Sequence, residues 1–99
     1  MILVTGSVTG RPDTVERLRA AAEAHVARSR TEDGCISHEV AVDCGAPMRL
    51  VFVERWRDAA ALRVHFGQPG SAEFMAAVRR LAEPETELDL YEAVSTKIG

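Results

Sequence analysis

The stretch Arg49-Leu50-Val51-Phe52-Val53-Glu54-Arg55-Trp56-Arg57-Asp58-Ala59-Ala60-Ala61-Leu62-Arg63-Val64-His65-Phe66 places two periodicities back to back. From Arg49 to Trp56 the side chains alternate as on a strand. Leu50, Phe52, Glu54 and Trp56 face one way, and Val51, Val53 and Arg55 face the other. Asp58 then suits the N-cap of a short helix over 59–66, because its carboxylate can accept an orphan backbone N–H. On that helix Leu62, His65 and Phe66 share one face, which turns His65 toward the sheet.

Reading upstream, Cys35 to Asp43 also alternates. Ile36, His38, Val40 and Val42 lie on one face, and Ser37, Glu39 and Ala41 on the other. Gly45-Ala46-Pro47 connects this strand to the next as an antiparallel hairpin. Asp33-Gly34 stops a preceding helix that opens at Arg11-Pro12-Asp13, with Pro12 suited to its first turn. Its stripe is Val15, Leu18, Ala22 and Val26, with His25 at the margin as either rim or surface. Ile2 to Val8 reads as the first strand, bounded by Gly10 and Pro12.

Downstream, Gly67-Gln68-Pro69-Gly70 breaks the helix and Ser71 caps another running to about Glu83. Phe74, Ala77, Val78 and Leu81 form its buried stripe. Pro84 ends it, and Leu88 to Val94 is the last strand. The order is β-α-β-β-α-β with the second helix broken in two. It predicts one α+β domain over 1–99, a ferredoxin-like four-stranded antiparallel sheet with helices on one face. Apolar groups on both faces of the Arg49–Trp56 strand predict that a second copy covers the other side, giving a homodimer through the sheets.

Composition bounds the partners. Ninety-nine residues with 46% hydrophobic and 27% charged side chains make an ordinary globular domain. The net charge of −3, with basic residues spread along the chain, excludes a phosphate-tracking surface and so predicts no nucleic-acid partner. No apolar run approaches the roughly 20 residues needed to span a bilayer, and no membrane association is expected. Met1-Ile2-Leu3-Val4-Thr5 lacks the basic start of a signal peptide. Cys35 and Cys44 bracket one strand and would stand roughly 30 Å apart, far beyond disulfide reach, which fits a reducing cytoplasm.

The chain lacks a dinucleotide fingerprint, a P-loop, a Gly-X-Ser-X-Gly elbow and a His-Glu-X-X-His pair. The three histidines have no metal-ligand spacing, so no metal and no cofactor is assigned. Trp56 reads as a core aromatic. His38 sits on the inward strand face, in a pocket or at the dimer seam. Glu54 shares the face of Trp56, where a carboxylate pairs with a donor or orients a histidine. His65 reads either as a satisfied core residue or as a titratable group beside an aromatic wall, suited to general-base work.

Two segments together resemble the antibiotic-biosynthesis-monooxygenase domain family: Asp33-Gly34-Cys35-Ile36-Ser37-His38-Glu39-Val40, and Glu54-Arg55-Trp56 followed through Ala61-Leu62 to His65-Phe66. The resemblance extends over nearly the whole chain and implies a dimeric α+β barrel. It implies a cofactor-independent monooxygenase acting with dioxygen on a small aromatic, quinol or polyketide-type substrate. A deprotonated electron-rich aromatic can itself reduce dioxygen, so the protein needs only a dry pocket, a base and an oxyanion stabiliser. His65 and Trp56 match the motif positions and become the expected catalytic pair. His38, Phe52, Glu54, Leu62, Phe66, Phe74 and Val78 become the expected pocket. The sequence also departs from its relatives. It has no asparagine, which disfavours the family's haem-degrading branch. Gly70-Ser71 stands after Pro69 where many relatives carry a second histidine, and His38 stands where many carry tyrosine. The alternative is a non-oxygenase use of the fold, as an isomerase or a small-ligand-binding, stress-associated dimer.

Overall fold

The computed structural model describes residues 1–98, and its elements follow the expected order. They are β1 (Ile2–Thr9), α1 (Val15–Ser29), β2 (Cys35–Asp43), β3 (Ala46–Trp56), α2 (Ala59–Phe66), α3 (Pro69–Leu81) and β4 (Glu87–Glu92). One antiparallel sheet runs β2-β3-β1-β4. This α+β arrangement is ferredoxin-like. Among the described residues, no helix is long and apolar enough to cross a membrane.

Several element ends differ from the expectation, each for a local reason. Helix α1 starts at Val15 rather than at Pro12, which lies in the turn before it. The hydroxyl of Thr14 accepts from the Arg11 amide at 3.0 Å and donates to the Leu81 carbonyl at 2.6 Å, tying the start of α1 to the end of α3. The hairpin connection is Cys44-Gly45 alone, and Ala46 already pairs with Asp43. Asp43 Oδ1 accepts the Gly45 amide at 2.8 Å, a side-chain turn that closes the hairpin early. Helix α3 opens at Pro69, whose missing N–H costs nothing in a first turn. Ser71 is therefore inside α3 rather than capping it, and its hydroxyl donates to the His65 carbonyl at 2.6 Å. Strand β4 spans Glu87–Glu92 instead of Leu88–Val94. The Asp58 cap stands as expected, accepting from the Ala61 amide at 2.8 Å.

On β2 the expected common face of Ile36, His38, Val40 and Val42 is broken. Cys35 pairs with Trp56 and Ser37 with Arg55, so the register shifts and Ile36 is left over as the extra residue. Ile36 and Val42 are exposed, while His38 is 1% exposed and lies opposite Glu54.

The inward side chains make two apolar clusters. The larger joins Val8, Leu50 and Phe52 of the sheet to Leu18, Ala22 and Val26 of α1 and to Ala77, Val78 and Leu81 of α3. The smaller holds Val4, Trp56, Ala61 and Leu62. Truncating a buried Leu or Trp in either cluster costs about 3–5 kcal/mol through lost contacts and cavity. The helices cover one face of the sheet; on the other, Leu3, Val51 and Val53 stay half-buried and Tyr91 is exposed.

Candidate functional site

Where the two apolar clusters meet, the interior is polar. His25 of α1, His38 of β2 and His65 of α2 are all buried, and their ring centroids lie 5.2 to 5.9 Å apart. Glu54 of β3 lies beneath them, with Oε2 3.6 Å from His38 Nε2 and Oε1 3.8 Å from His65 Nε2. Aromatic rings wall the group on both sides. Trp56 packs on His65 at 4.5 Å, and Phe74 stacks on His25 at 4.4 Å with planes 8° apart.

These residues border a cavity of about 150 Å³ between the sheet and the helices. The sheet contributes Gly6, Ser7, Val8, His38, Phe52, Glu54, Glu87 and Leu88; the helices contribute His25, His65, Phe66, Ser71, Phe74, Met75 and Val78; and Thr86 precedes β4. The expected pocket residues His38, Phe52, Glu54, Phe66, Phe74 and Val78 therefore line it. Two expectations are corrected. Leu62 does not line the cavity, because the turn of α2 carrying it packs into the smaller cluster with Val4 and Trp56. Trp56 likewise forms no wall of the cavity: fully buried behind His65, it donates from Nε1 to Glu54 Oε1 at 2.9 Å. Phe66, placed inward by periodicity, is 48% exposed at the rim.

The hydrogen bonds set which histidine can do what. His65 Nδ1 is 2.9 Å from Glu32 Oε1, on the loop after α1. A carboxylate can only accept, so Nδ1 carries the hydrogen and Nε2 keeps its lone pair. His25 is held the opposite way. Arg28 Nη2 donates to His25 Nδ1 at 2.7 Å, which puts the hydrogen of a neutral ring on Nε2. The same guanidinium nitrogen donates to the Gly70 carbonyl at 2.7 Å. Among the described residues, His38 finds no hydrogen-bond partner for either ring nitrogen.

The charges follow from burial. Desolvation, with help from His65 and Arg28, pushes His25 down to about 4. Desolvation, then His25, His65 and Arg30, pushes His38 down to about 3. Both rings are thus neutral near pH 7, and the His38–Glu54 contact is not an ion pair there. Burial raises the Glu54 carboxyl above its ordinary range, against the Trp56 hydrogen bond and the neighbouring His65 ring. Chemically, the site offers a base with a free lone pair, a neutral N–H donor, and an apolar cavity beside both.

Periodicity placed His25 at a margin and missed Glu32 and Arg28. His25 was legible in one respect: Leu18, Ala22, His25 and Ser29 are spaced 4, 3 and 4 apart, the rhythm of one buried stripe. Glu32 carried no local signal, since its partner lies 33 residues away.

Comparison with known proteins bears on the family and the fold. The family described as antibiotic biosynthesis monooxygenase matches residues 1–80. The Synechocystis protein sll1783, itself uncharacterized, is 32% identical over 96 residues; the match spans 97% of this chain and 65% of that protein. The Mycobacterium tuberculosis protein named "Putative monooxygenase Rv0793" is 38% identical over 73 residues, spanning 72% of this chain and 69% of its own length. The chain thus covers only about two-thirds of the length of these relatives. The Rv0793 structure superposes with a TM-score of 0.88 at 28% identity over 96% of both chains. A Deinococcus radiodurans structure reaches a TM-score of 0.93 at 23% identity over 99% of this chain and 97% of that one, which shows the shared fold alone. On sequence and structure together, the chain belongs to the antibiotic biosynthesis monooxygenase family.

Proposed function

We propose that the protein is a cofactor-independent monooxygenase that oxidises a small phenol or quinol with dioxygen. The observation that carries this reading is His65. Its Nδ1 is fixed by Glu32, and its Nε2 lone pair is buried beside an apolar cavity. A substrate hydroxyl seated there gives its proton to His65 Nε2; the anion adds dioxygen at a ring carbon as a hydroperoxide, and loss of water leaves a hydroxyquinone, so the substrate supplies every electron. His25 Nε2–H then stabilises the developing oxyanion as a neutral donor beside the apolar cavity. Trp56 acts one step back, holding Glu54 in place.

The cavity narrows the substrate. A volume of about 150 Å³ matches a benzene-sized ring, so single-ring quinols suit it better than polycyclic polyketides. Oxygen uptake by full-length protein with a panel of single-ring hydroquinones, in chelator and without flavin, tests the reading. Uptake above the autoxidation rate supports it, and a broad panel without uptake contradicts it.

The same volume favours a second reading, an isomerase or binder of a small ligand in which His65 only transfers a proton. A compound rearranged without oxygen uptake would establish it. Either reaction takes place in a cytoplasmic homodimer in this account. Leu3, Val51, Val53 and Tyr91 give the open face of the sheet the apolar character that a second copy would cover.

A further inference from the structure

We infer that His38, His65 and Glu54 form a binding site for a divalent first-row transition metal, with His25 beside it as a proton donor rather than a ligand. His38 is the ring that most needs a partner. It is 1% exposed, and neither of its ring nitrogens has a hydrogen-bond partner. A buried polar group left unmatched is costly, and an imidazole lone pair is matched by a proton donor or by a metal. No donor faces it. What does face it is a convergence of further ligand atoms. One ligand nitrogen from each of His25, His38 and His65 falls within a sphere where all lie within 4.8 Å of one another. Glu54 places Oε2 3.6 Å from His38 Nε2 and Oε1 3.8 Å from His65 Nε2.

The surrounding contacts are those a metal site requires. A ligating histidine donates its other N–H to a carboxylate or carbonyl, which fixes the tautomer. His65 does so through Nδ1 to Glu32 at 2.9 Å, leaving Nε2 free. A ligating carboxylate is itself hydrogen-bonded, and Trp56 Nε1 donates to Glu54 Oε1 at 2.9 Å. Two imidazoles and one carboxylate, brought together from β2, α2 and β3, suit Fe²⁺, Co²⁺ or Zn²⁺. Ligand atoms on one such ion stand roughly 3–3.5 Å apart, given bonds of about 2.1 Å, so the rings close inward slightly on loading.

His25 is kept out of the ligand set by its own hydrogen bond. Arg28 can only donate, and it does so to His25 Nδ1 at 2.7 Å. The His25 hydrogen is therefore on Nε2, which cannot ligate while it stays there. His25 therefore stays in the cluster as a proton donor rather than a ligand. His65 Nε2 has one lone pair and cannot hold an ion and take a proton at once, so ion binding is read on the loaded chain and the base is read in chelator.

The test is titration of the full chain, stripped with chelator, with Co²⁺ followed by visible absorption and with Zn²⁺ followed by calorimetry. One ion per chain is expected, with Co²⁺ bands unlike those of the aqueous ion. His38→Gln and His65→Gln each weaken binding by at least about a hundredfold, Glu32→Gln by about tenfold, and His25→Gln by less than about threefold. Glutamine keeps volume and polarity, and circular dichroism of the metal-free variants checks that they fold. A wild-type chain that leaves the Co²⁺ spectrum aqueous overturns the site without any variant. Binding that survives His38→Gln, or is lost in His25→Gln as fully as in His38→Gln, overturns the ligand assignment.

Discussion

Glu32 Oε1 lies 2.9 Å from Nδ1 of His65, a contact between the loop after α1 and helix α2 that fixes which face of the imidazole is basic. Glu32→Gln can still accept the Nδ1 hydrogen through its amide oxygen but removes the charge that favours the imidazolium. A fall in kcat/KM of about tenfold is expected, because a hydrogen bond to a charged group contributes about 1.5–3 kcal/mol and only part of it is lost. Glu32→Ala should cost more. Oxygen-uptake kinetics read the effect, and wild-type rates in both variants would separate Glu32 from the base.

Trp56 supports the site from behind. Trp56→Phe keeps an aromatic ring against His65 but deletes the donor to Glu54 Oε1. A buried carboxylate left without that partner costs about 1–3 kcal/mol. The midpoint of urea unfolding should drop accordingly, with KM changed less than kcat because Trp56 does not border the cavity. An unchanged midpoint would show that Glu54 finds another donor.

Gly70 is where backbone and guanidinium meet. A Cβ there would run into the Arg28 side chain, whose Nη2 holds both the Gly70 carbonyl and His25 Nδ1. Gly70→Ala should therefore lower the melting temperature and loosen His25. Gly45→Ala is the control: a Cβ there meets only Asp43 Oδ1 at 3.5 Å, an ordinary contact. Equal melting temperatures for the two variants would contradict this packing.

The metal-free protein should lose stability as pH falls. His25 and His38 titrate near 4 and 3 when folded, against 6.5 when unfolded. The unfolded chain therefore binds more protons below about pH 6.5, and stability declines from there until each folded histidine titrates. His25 faces Arg28, His38 and His65, while His38 faces Glu54 and Arg30, and Glu54 is the one acidic neighbour among them. Urea melts in chelator at pH 7.5, 6 and 5 measure the slope. Removing both rings by His25→Gln and His38→Gln should flatten it, and an unchanged slope would assign the effect elsewhere.

Substituting Val53→Glu on the open face of β3 should yield a folded monomer if two sheets pair there. Sedimentation of the wild type at rising concentration should show a dimer. A wild-type monomer at every concentration would remove the homodimer from the account.

How much of this was legible in the sequence varied with the range of the interactions. The alternation of Leu50, Phe52, Glu54 and Trp56 reported the buried face of β3 without error, since a strand of period two buried on one face leaves no other phase. On β2 the same logic failed at Ile36, because an extra residue in the register changes the phase and leaves no composition signal. His65 pointed inward by helical spacing. The meeting of His25, His38 and His65 was not readable, because it depends on how three elements pack. The partners that set their tautomers, Glu32 and Arg28, are placed by a loop and by the α1–α3 contact.

If His65 Nε2 is the base of a buried reaction site, turnover depends on that one ring. The most direct measurement is oxygen uptake by wild type and His65→Ala with the same single-ring hydroquinone, both in chelator and both shown to be folded. A loss of at least about a hundredfold in kcat is expected, the contribution typical of a positioned general base. A His65→Ala rate within about threefold of wild type would contradict it.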